Sequence, residues 1–198
     1  MNYKIFGIGL PKTGTSSLHA ALEILGYRSV HYPVTWSEIA SHDAACDISV
    51  ACRFAKLDQL YPGSKFILTL RELNEWIASC EYHFGQKVKP SELAPKLREF
   101  LLSQRVKAFG TTYYDPVLFK EAYYRHKQHI QDYFAHRPQD LLILNIGSGK
   151  EWEQLCPFLG NSIPELPFVH KNIAGESLAL MFQDMTLKIE QNLDDLLN

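Results

Sequence analysis

The sequence has no stretch of about 18 apolar residues, the length that a membrane-spanning helix needs, and the apolar run in "MNYKIFGIGLPK" is too short for a signal peptide. Those absences predict a soluble, cytoplasmic protein. Charge of one sign is also lacking: 20 Lys and Arg stand against 22 Asp and Glu, a formal net charge of −2. This balance excludes the broad positive field of a non-specific nucleic-acid binder, so any anion site must be local. Cys46, Cys52, Cys80 and Cys156 show neither C-x-x-C spacing nor the density of a disulfide scaffold, which argues for structural thiols and against metal or redox roles. No internal repeat, low-complexity tract or linker divides the chain. At 198 residues and 46% hydrophobic, a single domain over 1–198 with a full core is expected.

What is present is an alternation of buried-strand and helix patterns. "YKIFGIG" (3–9) is apolar and ends in glycine, and "TSSLHAALEILG" (15–26) places Leu18, Ala21, Leu22 and Leu25 at helical spacing. "KFILTL" (65–70) feeds a helix over 71–84, and "DLLILNI" (140–146) feeds one over 151–160. "RSVHY" (28–32) adds a short strand, 91–108 and 116–136 read as helices, and 161–172 reads as an ordered loop. In 175–197, Leu178, Met181, Met185, Ile189, Leu193 and Leu196 form one helical stripe suited to core packing. Strands alternating with helices predict an α/β fold, a three-layer αβα sandwich around a parallel sheet.

"GIGLPKTGTSS" (7–17) carries the chemistry. Gly9 and Gly14 stand at the G-x-x-x-x-G spacing of a phosphate-binding loop, but Thr15 occupies the place where a nucleotide triphosphatase has its lysine. The backbone cradle and the positive end of the following helix survive that change. The cation has moved to Lys12, on the crest of the loop. "KFILTLRE" and "DLLILNI" do not end in the aspartate that holds magnesium in triphosphatases. Capping of the helix by Thr15, Ser16 and Ser17 explains neither the paired glycines nor Lys12.

"GLPKTGTSSL" resembles the 5′-phosphosulfate loop of sulfotransferases that use 3′-phosphoadenosine 5′-phosphosulfate (PAPS). "LTLRELNEWIASCEYHF" is similar to the family's 3′-phosphate element, with Arg71 after a strand and Ser79 eight residues on. "GKEWEQLCPFLGNSIPELPFVHKN" resembles the carboxy-terminal run of a soluble branch of the superfamily found in bacteria and eukaryotes. With "VHYP" and "CDIS" the likeness covers most of the chain. It departs in lacking the glycine-rich R-K-G motif of the cytosolic enzymes, whose work Lys171 in "FVHKN" is placed to do.

The resemblance implies a fold related to the P-loop nucleotide kinases and sulfuryl transfer from PAPS to a hydroxyl or amine, leaving 3′,5′-adenosine bisphosphate. It implies cofactor contacts from Pro11, Lys12, Thr13, Gly14, Thr15, Ser16, Ser17, Arg71, Ser79 and Lys171, with no metal. Lys12 would also serve catalysis. Two positions offer a general base, His31 and Asp47; imidazole is the better base near neutrality, so His31 is favoured, with Asp47 orienting it or taking its place. Trp36, Tyr82, Phe84, Phe109, Tyr113 and Tyr114 are candidates for an aromatic pocket or for core. Small phenol, lipid, glycan and metabolite acceptors are all compatible, as are two other functions: a catalytically silent nucleotide-binding scaffold and a divergent P-loop kinase.

Overall fold

A computed structural model describes residues 3–87, 90–171 and 175–191. In chain order the main elements are β1 (Ile5–Gly7), α1 (Thr15–Ile24), β2 (Ser29–His31), α2 (Trp36–Ser41), β3 (Ala44–Cys46), α3 (Ile48–Ala51), α4 (Phe54–Leu60), β4 (Lys65–Leu70) and α5 (Leu73–Cys80). They continue with α6 (Pro95–Phe109), α7 (Pro116–Tyr133), β5 (Leu141–Asn145), α8 (Glu151–Leu159) and α9 (Gly175–Gln191). The five strands form one parallel sheet in the order β2-β3-β1-β4-β5.

Side-chain alternation along the central strands feeds two cores. Phe6 and Ile8 from β1 and its exit, with Phe66, Leu68 and Leu70 of β4, pack under α5, α6, α7 and α9. Ile5 and Ile67 point the other way, into a smaller core with Leu18 and Leu22 of α1 and Trp152 and Leu155 of α8. Helices on both faces explain why β4 reads as an unbroken apolar run. The expected sandwich is therefore the observed one, with every connection between neighbouring strands crossing from one sheet edge to the other.

The differences are local. The segment between β2 and β4, for which no elements were expected beyond the two motifs, contains β3 and three short helices. The helix expected over 71–84 is α5 followed by a π-helical stretch, Glu81–Lys87. On the carboxy-terminal stripe Met185 and Ile189 are buried, whereas Leu178, Leu193 and Leu196 lie outside the residues whose side chains are described. No helix among the described residues is long and apolar enough to cross a membrane.

Candidate active site

A cleft of about 260 Å³ opens at the carboxy-terminal edge of the sheet, where open α/β folds bind ligands. Four strand exits supply it: the loop after β1, His31 ending β2, Asp47 after β3 and Arg71 after β4, with Ile146 and Gly147 arriving from β5.

The loop after β1 is held in shape from beneath. Thr13 donates its hydroxyl to the Leu10 carbonyl at 2.6 Å and its N–H to the same oxygen at 3.2 Å. Its hydroxyl proton being committed, the 2.7 Å contact with Thr69 is a bond donated by Thr69 of β4. Buried Trp76 of α5 donates its indole N–H to the Pro11 carbonyl at 2.8 Å. Gly9 must be glycine because a Cβ there would collide with Thr69. Gly14 must be so twice over: its φ is +103°, and a Cβ would lie 2.6–2.9 Å from the Ile146 side chain. Lys12, at φ 71°, also takes the left-handed conformation, which turns successive main-chain N–H groups toward one side.

Gly14 is the N-cap of α1, which has no side-chain cap and no acidic residue in its first turn. Leu18 N–H makes the first helical bond, to Gly14; the N–H groups of Gly14, Thr15, Ser16 and Ser17 have no acceptor among the described residues. Four unsatisfied donors at the positive end of a helix make an anion site.

The sheet register explains the second feature. His31 is aligned with Cys46 across β2 and β3, so the residue after β3, Asp47, emerges beside it. His31 Nε2 lies 2.9 Å from Asp47 Oδ2, and the same nitrogen is 3.2 Å and 3.1 Å from the Thr15 and Ser16 hydroxyls. Burial pushes the Asp47 carboxyl up, but the charge and hydrogen bond of His31, with the Ile48 N–H, outweigh it and hold Asp47 below the usual carboxylate range. An ionised carboxylate only accepts; Nε2 therefore carries the proton, and a neutral His31 keeps its lone pair on Nδ1. Asp47 sits at φ 96°, ψ −174°, a region nearly exclusive to glycine that costs about 1–3 kcal/mol and clusters at functional sites. His19 of α1, its ring 5.7 Å from that of His31, is pushed down to about 4 by burial and by His31.

Arg71 and Ser79 both reach the cleft wall, Arg71 just before α5 and Ser79 within it. Arg71 Nε bonds Glu75 Oε2 at 3.0 Å, and Tyr123 Oη fixes the Arg71 carbonyl at 2.7 Å. Lys171 lies on the rim, exposed, with its N–H donated to Ser17 Oγ at 3.0 Å. All twelve residues singled out in the sequence thus line one cleft, although Thr13 spends its side chain on the loop itself and Ser17 is occupied by Lys171. Of the six aromatics, Phe84 alone lines it; Phe109 is core, and Tyr82 and Tyr113 are exposed.

Sequence reading missed Tyr32, His83, Leu101, Arg105, His170, Met181 and Phe182. For Arg105 a signal existed. It follows Leu97, Phe100, Leu101 and Gln104 and precedes Ala108 on the buried stripe of α6, and a charge on such a stripe needs a reason.

The uncapped start of α1 over a glycine loop, at the carboxy-terminal edge of a parallel sheet, is an arrangement that suits an anion. The sulfotransferase domain family matches residues 4–42 and 34–177, and the chain belongs to that family, whose chemistry is sulfuryl transfer. Its fold is similar to that of a crystal structure of a sulfotransferase from Alicyclobacillus acidocaldarius, at 15% sequence identity, over 96% of this chain and 94% of that one, with a TM-score of 0.50. A search of curated proteins found no match.

Proposed function

We propose that the chain transfers a sulfuryl group from PAPS to a hydroxyl or amine acceptor. The observation that carries this reading is the open N-terminus of α1, whose free N–H groups share the cleft with Lys12 and the Thr15 and Ser16 hydroxyls. These residues suit a doubly bridged phosphate end, and Arg71, Ser79 and Lys171, which line the same cleft, suit a second phosphate. When bound, PAPS supplies an activated sulfuryl group on its 5′-phosphate. Lys12 and the loop donors neutralise the charge that grows on the leaving phosphate, a role whose loss typically costs ~10²- to 10³-fold in rate. Asp47 accepts from His31 Nε2 and fixes the ring, so His31 Nδ1 is the atom that takes the acceptor's proton.

The test is a thermal shift without magnesium. Saturating 3′,5′-adenosine bisphosphate should stabilise the fold by RT ln(1 + [L]/Kd), about 2.7 kcal/mol at 100 times Kd. Stabilisation by ATP–magnesium, with no response to the bisphosphate, overturns the reading.

A further inference from the structure

Cations outnumber anions in the cleft wall, and one of them is unused by the donor. Lys12, Arg71 and Lys171 stand against Asp47 and Glu75, which are committed to His31 and Arg71. Arg105 is the fourth full cation. It comes from α6, lines the same cleft and is only 6% exposed. No carboxylate among the described residues pairs with it. Its one hydrogen bond within the described residues runs from Nη1 to the Thr112 carbonyl at 3.2 Å, although a guanidinium carries five N–H donors. Its Cζ lies over the Phe84 ring, 4.9 Å from the ring centre. A buried charge without a counter-charge is costly to keep, and here the remaining donors belong to a cleft wall. The neighbouring wall is mostly apolar, with Phe84, Leu101, Met181 and Phe182 beside His83. Tyr32, which feels both Asp47 and Arg105, places this region next to the His31–Asp47 pair.

Resting on the sulfotransferase reading above, we propose that Arg105 binds a carboxylate on an otherwise apolar acceptor, whose body lies against Phe84, Leu101, Met181 and Phe182 and whose hydroxyl is thereby turned toward His31. Arg105 is then the residue that sets acceptor specificity. Its planar fork matches a carboxylate bidentately.

The test uses two acid and ester pairs, 4-hydroxyphenylpropionate and 12-hydroxydodecanoate with their methyl esters, titrated calorimetrically into protein saturated with 3′,5′-adenosine bisphosphate. In at least one pair the acid should bind at least about tenfold more tightly than the ester, which is about 1.4 kcal/mol. Arg105→Gln should abolish that preference while leaving bisphosphate affinity within about twofold. No preference in either pair, including no binding at all, overturns the proposal, as does a preference that survives Arg105→Gln. Bisphosphate affinity that collapses in a folded Arg105→Gln protein assigns Arg105 to the donor and also overturns it. Should that variant fail to fold, the acid-to-ester ratio in the unaltered protein and in Arg105→Lys decides. A wild-type protein that does not bind the bisphosphate refutes the parent reading instead.

Discussion

Half-buried His126 of α7 donates from Nε2 to the Ile8 carbonyl at 2.7 Å, one residue before the phosphate loop. A carbonyl only accepts, so the neutral ring carries its proton on Nε2, and protonation would add a charge at Nδ1 inside the packing. Burial lowers the pKa from 6.5 to about 4, with the Ile8 bond opposing and the charges of His129 and Arg125 adding to the fall. The folded value lies below the unfolded one, so between the two the unfolded chain binds more protons. The contribution is complete above pH 6.5 and is lost as pH falls toward 4. A gap of about 2.5 pH units at about 1.4 kcal/mol each gives a limit of about 3.5 kcal/mol, of which about 2 kcal/mol goes between pH 7 and pH 5. His126→Gln retains an N–H donor and cannot titrate. Urea denaturation of both proteins at pH 7 and pH 5 should show the wild type losing about 2 kcal/mol more than the variant. His19 titrates in the same window in both proteins, so it cancels in the difference. Equal pH slopes would show that His126 is not held neutral by its surroundings, and the argument from burial would fail.

His31→Ala should lower kcat by about 10²- to 10⁴-fold; because Nε2 also touches Thr15 and Ser16 of the donor loop, bisphosphate affinity should shift by no more than about tenfold. Asp47→Asn should cost less than His31→Ala, and steady-state kinetics giving the reverse order would make Asp47 the base. Arg71→Ala should weaken 3′,5′-adenosine bisphosphate by about 1.5–3 kcal/mol and spare adenosine 5′-phosphate, whereas Lys12→Ala should weaken both; equal weakening by Arg71→Ala removes Arg71 from the 3′-phosphate. Glu75→Gln, which frees Arg71 from an exposed pair worth about 0.2–1 kcal/mol, should tighten the bisphosphate in the same titration.

Strands whose burial is written in their own side chains were legible. Lys65–Leu70 is found residue for residue because five of its six positions are apolar or β-branched and admit little else. Ala44–Cys46 was not: alanine has low strand preference, and these residues are a strand only because β1 and β2 flank them. The helix Trp36–Ser41 was missed as well, although Thr35 and Glu38 form a capping box visible as T-x-x-E. In the site, the glycine loop and its lysine could be read locally. The His31–Asp47 pair could be suspected from resemblance alone, because its cause is the register of an unrecognised strand. Arg105 could have been noticed as a charge on the buried stripe of α6, but what it faces required knowing which neighbours that helix would meet.

The bonds that shape the loop have a mechanical consequence. Thr69 and Trp76, which grip Thr13 and Pro11, bracket Arg71 on a single strand-to-helix segment. Tyr123 and His126, one turn apart on α7, clasp the Arg71 and Ile8 carbonyls. Loop, Arg71 and both braces are therefore tied together into one hydrogen-bonded unit. The cleft wall is completed by side chains of α6, the π-helical stretch and α9, among them Arg105, Phe84 and Met181. The part of the cleft that offers main-chain N–H groups is thus tied down by side chains from three other elements, β4, α5 and α7.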